Sequence, residues 1–515
     1  MIGITPPHPF ATRKLPDRPQ PHQDDLRVLW GGRPTGMPLG MLGTHFLVMG
    51  ATGSGKTNII KMLMNSLLPD GDGELRYRSV IYDPKRELIP FLSRVNIPDD
   101  RVIITNPYDA RCSAWDMAAD VREPGDAETI ARAIIPLPED SDRRDENAFF
   151  TNAANQTLTA MIEALATAAP KKWDFRDVVE ACARPSALKQ LLRVTLSGRD
   201  ILASYYKPYD KTAKNVFSTV QTYIGQFRVL ASLWHNASTK FSMDDWLDNR
   251  AVIVLGTRPR RASVVELANR LIMNRAIEVV IDQNDDKPQD LSWFFLDELR
   301  EAGRFSKLNL LMNQGRSKGA HVVVGYQDQS GMNDLMGDDA ANEIASQCSN
   351  KALLHLASGI SMEWASKQCA QSKQRRPSHT TTERGESSTT VTEDFMDVVP
   401  PIRFRELRLA QNHRGATEAI FVQAGLRTFH GEMSAREVDA AMPPKMDKDD
   451  LPPDLIERPS EHQLRVPWSQ DDYARLGLTP NREGDSDESE TDDDTTRTHR
   501  APRAGAPIRT MPWHQ

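Results

Sequence analysis

A lysine and a threonine behind spaced glycines carry the first chemistry in this chain. Gly50-Ala51-Thr52-Gly53-Ser54-Gly55-Lys56-Thr57 fits G-x-x-x-x-G-K-[ST], a loop that cradles phosphate. Its glycines let backbone N–H groups turn toward phosphate oxygens. A helix that starts here adds the partial positive charge of its N-terminus. In such a loop Lys56 reaches the β- and γ-phosphates, and the Thr57 hydroxyl ligates Mg²⁺. The cofactors expected are ATP and Mg²⁺.

A second group of residues turns phosphate binding into hydrolysis. Trp293-Phe294-Phe295-Leu296 is an apolar run that ends in Asp297-Glu298. In phosphate-loop ATPases an aspartate at this place supports Mg²⁺. The adjacent glutamate activates the attacking water as general base. Gln327 ends the next apolar run; its amide donates and accepts without titrating, which suits a γ-phosphate sensor. Arg300, Arg304 and Arg316 follow the carboxylates, and one of them would serve a neighbouring subunit's site as an arginine finger. Asp83 and Asn106 also end apolar runs, where ligands gather. Each precedes a proline, so a turn explains it as well. Lys85 and Arg86, just after Asp83, read as solvent-facing.

These residues need a parallel sheet to bring them together. Residues 45–49 read as a strand and 58–68 as a helix with apolar residues at 59, 60, 63, 64 and 67. Further strands are expected at 79–82, 101–105, 251–256, 291–296, 320–325 and 351–356, with an edge strand at 418–422 and a long amphipathic helix at 263–281. Short apolar runs alternating with helices predict an α/β fold, a mainly parallel sheet flanked by helices of the RecA-like phosphate-loop kind. Residues 26–44 read as turns. Strand patterns vanish between 120 and 247, which predicts an inserted all-helical domain. The ATPase core is then 26–119 and 248–435. Residues 370–394 are Ser/Thr-rich and read as a mobile loop. Residues 1–25 hold six prolines and read as an extended arm. From 436 to 515 the chain is Pro- and Asp-rich, with seven acids in 485–494, and reads as a mostly disordered acidic tail.

Composition narrows the class. The chain has 515 residues, 39% hydrophobic content and a net charge of −7. It is not a uniformly basic nucleic-acid binder, although a local basic surface remains open. The four cysteines show neither C-x-x-C nor zinc spacing, as expected of reduced structural thiols in the cytoplasm. No apolar run approaches the roughly 18–20 residues of a membrane span, and no signal peptide is legible.

Taken together, the motifs resemble the type IV secretion coupling protein family, within the FtsK/HerA group of DNA-pumping ATPases. The phosphate loop and the run ending in Asp297-Glu298 correspond to its Walker A and Walker B motifs. Tyr82-Asp83-Pro84-Lys85-Arg86-Glu87 resembles the family's Y-D-P-K-G-E. Asn106-Pro107-Tyr108-Asp109 with Trp115 resembles its N-P-F-D…W. Gly315-Arg316-Ser317-Lys318-Gly319 with Gln327 resembles its G-R-x-x-G…Q, and Ser346-Gln347-Cys348-Ser349-Asn350 also fits. The likeness covers about residues 30–425, and the helical insertion falls where that family places one.

The resemblance implies a hexameric ring around DNA, gripped without regard to sequence, with ATP sites between subunits. Arg316 becomes the trans finger and Gln327 the sensor. Partners implied are a relaxase or relaxosome and secretion-channel proteins, with the acidic tail as a contact for them. Two departures stand out. Arg86 occupies the family's glycine position, and the membrane helices of many members are not seen. Such a chain would work in the cytoplasm, or peripherally at the inner face of the membrane through a partner. Two other readings stay open: a nucleotide-gated adaptor that recruits substrates, and a soluble FtsK/HerA-like ATPase of phage defence or DNA handling.

Overall fold

A computed structural model describes residues 26–30, 33–37, 44–69, 74–137, 146–207, 211–283, 291–302, 305, 307–381, 387–423, 428–447 and 449–480. The expected arm at 1–25, Arg304 and the acidic run at 485–494 lie outside these residues. The chain divides into a large unit, Met1–Leu478, and a short one, Thr479–Gln515, of which only 479–480 are described.

The strands are β1 (Leu26–Trp30), β2 (Arg33–Met37), β3 (Phe46–Met49), β4 (Arg78–Tyr82), β5 (Val102–Ile104), β6 (Ser113–Trp115), β7 (Thr239–Phe241), β8 (Val252–Leu255), β9 (Ser292–Leu296), β10 (Ala320–Tyr326), β11 (Asn350–Leu353), β12 (Gln371–Thr381), β13 (Ser387–Asp397), β14 (Thr417–Val422) and β15 (Phe429–Met433). Nine of them form one sheet in the order β15-β14-β11-β3-β10-β9-β4-β8-β5. From β11 to β5 every pairing is parallel; β14 and β15 add antiparallel pairs at one side.

Side-chain alternation buries both faces of this sheet. On β9, Phe294 and Leu296 enter one core, while Trp293 and Phe295 enter the other. On β3, Leu47 and Met49 divide from Phe46 and Val48 in the same way. The helix Lys56–Leu67 packs Ile59, Ile60, Leu63 and Leu67 into the second core. The helix Ala262–Ile281 covers the opposite face with Leu271, Ile272 and Ile277. All four cysteines are free and buried, and burial pushes each thiol up to about 12.

Between β6 and β7, which pair in parallel, the described residues run through eight helices from Met117–Asp120 to Arg228–His235. Strand β7 thus falls inside the span read as all-helical. Several of these helices start on side-chain caps: Asp174 accepts from Asp177 N–H, and Thr195 from Gly198 N–H.

The structure corrects the sequence reading in four other places. Residues 26–30 and 33–37, expected as turns, pair as the antiparallel strands β1 and β2, with Trp30 buried edge-on against Phe46 and Phe421. The edge strand is β15, not β14, which is paired on both sides. Residues 371–381 and 387–397 pair as two eleven-residue antiparallel strands where a mobile loop was expected. Their Thr and Val content favours strands despite the polar composition. Residues 436–480 are not a disordered tail. Ala110 N–H donates to Ile456 O (2.7 Å), Arg458 donates to Leu233 O (2.6 Å), and Trp468 Nε1 donates to Asp177 Oδ1 (2.8 Å). Backbone and arginine hydrogen bonds to distant partners hold this segment, and such bonds leave no periodic pattern.

Candidate nucleotide site

Four neighbouring parallel strands, β3, β10, β9 and β4, end at one edge of the sheet. Each delivers one piece of the site. The phosphate loop follows β3, Gln327 follows β10, Asp297-Glu298 follows β9, and residues 83–87 follow β4. The piece after β9 passes very close to β10. A Cβ at Gly325 would lie 2.2 Å from the Asp297 carbonyl oxygen, so only glycine admits this crossing.

The loop itself is held on several sides. Gly50 N–H donates to Tyr326 O (3.3 Å) and Ala51 N–H to His355 O (2.8 Å). Gln411 N–H donates to Gly53 O (3.1 Å). Gly53 and Gly55 adopt left-handed φ of 76° and 106°, which a side chain would strain. A Cβ at Gly53 would also collide with the Gln411 side chain. His355, Gln411 and Thr417, which lies under Gly55, belong to no motif of the sequence.

The functional side chains meet directly. Thr57 Oγ1 donates to Asp297 Oδ2 at 2.9 Å. Gln327 joins the two halves: its Nε2 donates to Glu298 Oε2 at 3.1 Å, and its Oε1 accepts from Thr52 Oγ1 at 3.1 Å. The Lys56 ammonium folds back onto Gly50 O at 2.7 Å. Burial lowers the Lys56 pKa; the charges of Glu298 and Asp297 oppose this, and that of Lys85 adds to it. Two buried polar atoms here, Ser54 Oγ and Asp297 Oδ1, have no hydrogen-bond partner.

Other expected residues divide differently. Asp83 is buried and accepts from Glu87 N–H (3.1 Å) and Leu88 N–H (2.8 Å), so it ends β4 as a turn residue. Burial raises its pKa against those two hydrogen bonds. Asn106 caps its own turn through Tyr108 N–H at the far edge strand, β5. Arg316 is exposed in the turn before β10, at the opposite end of that strand from Gln327. The strand alone separates them by on the order of 20 Å. Arg300 is exposed just past Glu298.

Lys85 is the residue the sequence reading missed. Its side chain is exposed, as expected, yet its ammonium reaches the site, with Nζ 3.2 Å from Thr57 Oγ1 and 3.8 Å from Asp297 Oδ2. Its place just past the end of a parallel strand was the available signal. Arg86, at the position where the resembled family has glycine, has φ 57°. That left-handed conformation explains the family's preference for glycine.

A phosphate loop, a strand-end carboxylate pair and an amide on the strand between them define a phosphate-loop NTPase fold. The chain belongs to the type IV secretion-system coupling protein family, whose DNA-binding domain matches residues 35–395. A curated relative is the coupling protein TraD of Escherichia coli (strain K12), 24% identical over 328 residues. That match takes in 62% of this chain but 43% of TraD, so the chain spans less than half of that relative's length. Among solved structures, the bacterial conjugative coupling protein TrwBdeltaN70 in its unbound monoclinic form is similar with a TM-score of 0.63 and 20% identity, over 85% of this chain and 93% of that one. The plasmid coupling protein TrwB in complex with ADP and Mg²⁺ is similar with a TM-score of 0.61 and 19% identity, over 85% and 94%. Among the described residues no helix is long and apolar enough to cross a membrane.

Proposed function

We propose that this chain is a Mg²⁺-dependent ATPase motor of the conjugation coupling kind, which moves DNA without reading its sequence. The observation that carries the reading is the joining of Thr57 to Asp297 and of Gln327 to Glu298 at adjacent strand ends. The residues present fit a nucleotide and a metal. Ser54 Oγ and Asp297 Oδ1 are buried donors and acceptors in want of a partner, the glycine cradle leaves no room for side chains, and a cationic group already lies against Thr57 and Asp297.

Lys56 would exchange the Gly50 carbonyl for phosphate oxygens, recovering the cost of burying its charge. Thr57 and Asp297 would hold Mg²⁺, which neutralises phosphate charge as a Lewis acid. Glu298 would take the proton of the attacking water, with Gln327 fixing its carboxylate and sensing the γ-phosphate. Arg316 is too far from its own site and would complete a neighbour's, in a homo-oligomeric, hexameric ring. A relaxase-bound strand and a secretion channel are the partners that suit such a motor, and the DNA-binding description of the family supports the cargo.

Steady-state ATP hydrolysis with Mg²⁺, with and without DNA, tests this. Hydrolysis that DNA accelerates is expected. Nucleotide binding with no hydrolysis under any DNA condition would replace the motor with a nucleotide-gated adaptor.

A further inference from the structure

Lys85 brings a cation to the two side chains that the proposed function assigns to Mg²⁺. Its ammonium stands 3.2 Å from Thr57 Oγ1 and 3.8 Å from Asp297 Oδ2. Those oxygens also bond each other at 2.9 Å, so the three groups form one compact cluster. A hard divalent cation seeks the same oxygen atoms as an ammonium donor. Two cations cannot share them, because at about 4 Å their repulsion in a partly buried site is large.

The surrounding structure fixes the backbone near Lys85 but leaves its side chain free to leave. Asp83 ties down the N–H groups of Glu87 and Leu88. Glu87 pairs with Lys61 on the helix after the phosphate loop at 2.9 Å. Arg86 lies 3.7 Å from Asp454 of the C-terminal segment. The Lys85 side chain itself is 51% exposed, so its ammonium can move into water at little desolvation cost.

We propose that Lys85 is a placeholder cation: its ammonium balances the Thr57–Asp297 pair when no metal is bound, and gives way when Mg²⁺ enters. Resting on the nucleotide-site reading above, this adds a second, exchangeable positive charge to the fixed one of Lys56. Lys85 is a positioning residue for the metal rather than a group that takes part in hydrolysis. In a metal-free nucleotide complex the same ammonium stands in for the metal beside the phosphates.

The test is equilibrium binding of a fluorescent ADP in Mg²⁺ and in EDTA, with wild type, Lys85→Met, Lys85→Gln and Lys85→Arg. Thermal melts confirm that each variant folds. In Lys85→Met and Lys85→Gln the metal-free affinity should fall about tenfold, the scale of a half-exposed charge. Their affinity in Mg²⁺ should stay within about threefold of wild type, or tighten, and Lys85→Arg should keep the wild-type ratio. An unchanged ratio of the two affinities overturns the inference. So does an equal loss in both conditions, which would make Lys85 a phosphate ligand of the metal-loaded state. A wild-type chain that binds ADP in neither condition overturns the site reading itself, and the inference with it.

Discussion

Two buried charge clusters in this molecule are built on opposite rules. At the ends of β3 and β9, Asp297 offers one oxygen to Thr57 and leaves the other buried without a partner, as is Ser54 Oγ. Where the C-terminal segment meets the helix Phe175–Ala183, both oxygens of Asp177 are taken. Oδ1 accepts from Arg176, Trp468 and Arg475, and Oδ2 from Arg475 and Asp174 N–H. Glu180 is held bidentately by Arg465, at 2.6 and 2.9 Å, and also by Arg184. The carboxylate oxygens of this second cluster are all taken, although the buried Arg176 Nε has no hydrogen-bond partner, and truncating such a cluster costs stability. An unsaturated one carries an unpaid desolvation cost that a ligand removes. Burial depresses Lys56 against the charges of Glu298 and Asp297, whereas arginine hydrogen bonds outweigh burial and hold Asp472 well below the usual carboxylate range. The first cluster is suited to exchange and the second to holding the chain in place.

The sharpest break in this comparison would come from Glu298→Gln. Removing the base should cut ATP hydrolysis by about 10²–10⁴-fold while nucleotide affinity and melting temperature stay near wild type. Wild-type turnover in that variant would take Glu298 out of its role. Asp177→Ala should do the reverse. It takes one of two hydrogen-bonded carboxylate partners from Arg475 and Arg176 and leaves Trp468 Nε1 without its acceptor, and should cost about 3 kcal/mol of stability in denaturant titration. Nucleotide affinity should not follow it. A tenfold change in affinity would mean that the clusters are coupled. Ser54→Ala separates them more finely. It removes a buried hydroxyl without a partner, so stability should stay within about 1 kcal/mol of wild type. A larger loss in thermal or chemical melts would show that Ser54 belongs with the saturated groups.

The same contrast explains what was legible in the sequence. Strands β3, β4, β8, β9 and β10 announce themselves because burial on both faces demands unbroken apolar runs. The phosphate loop and Asp297-Glu298 are local spacings, and β10 sets Gln327 between them. The strand-end place of Lys85 was legible but its role was not, since that depends on β4 lying next to β9, a pairing across about 200 residues of chain. Gln411 and His355 reach the loop across still longer gaps. Residues 436–480 hide for another reason. They are fixed by arginine–carboxylate contacts to partners elsewhere in the chain and by scattered buried residues such as Trp468 and Leu476, and Pro- and Asp-rich composition is equally suited to disorder. The hairpin of β12 and β13 was masked by its Ser/Thr content, which serves loops and exposed strands alike.

The smallest effect expected lies at the edge of the saturated cluster. Asp472 accepts from Arg176 at 2.7 Å and from Arg475 at 2.8 Å. Burial would raise its pKa, but these two hydrogen bonds and that from Ser469 N–H outweigh it, and the net shift is downward. An acid with a lower pKa folded than unfolded binds fewer protons when folded. It therefore stabilises the fold above the ordinary carboxylate range and loses that contribution as pH falls through its depressed folded value. Asp472 is partly open to solvent, so the contribution should be less than about 1 kcal/mol. Asp472→Asn should lower the melting temperature slightly at neutral pH, with the gap constant down to about pH 5. Below about pH 4 the gap should narrow progressively, because the unfolded chain's Asp472 takes up its proton first, and it should close only as pH nears the depressed folded value. A gap that stays constant into that range would mean that Asp472 acts through packing, and that saturation with arginines is not what holds the C-terminal segment in place.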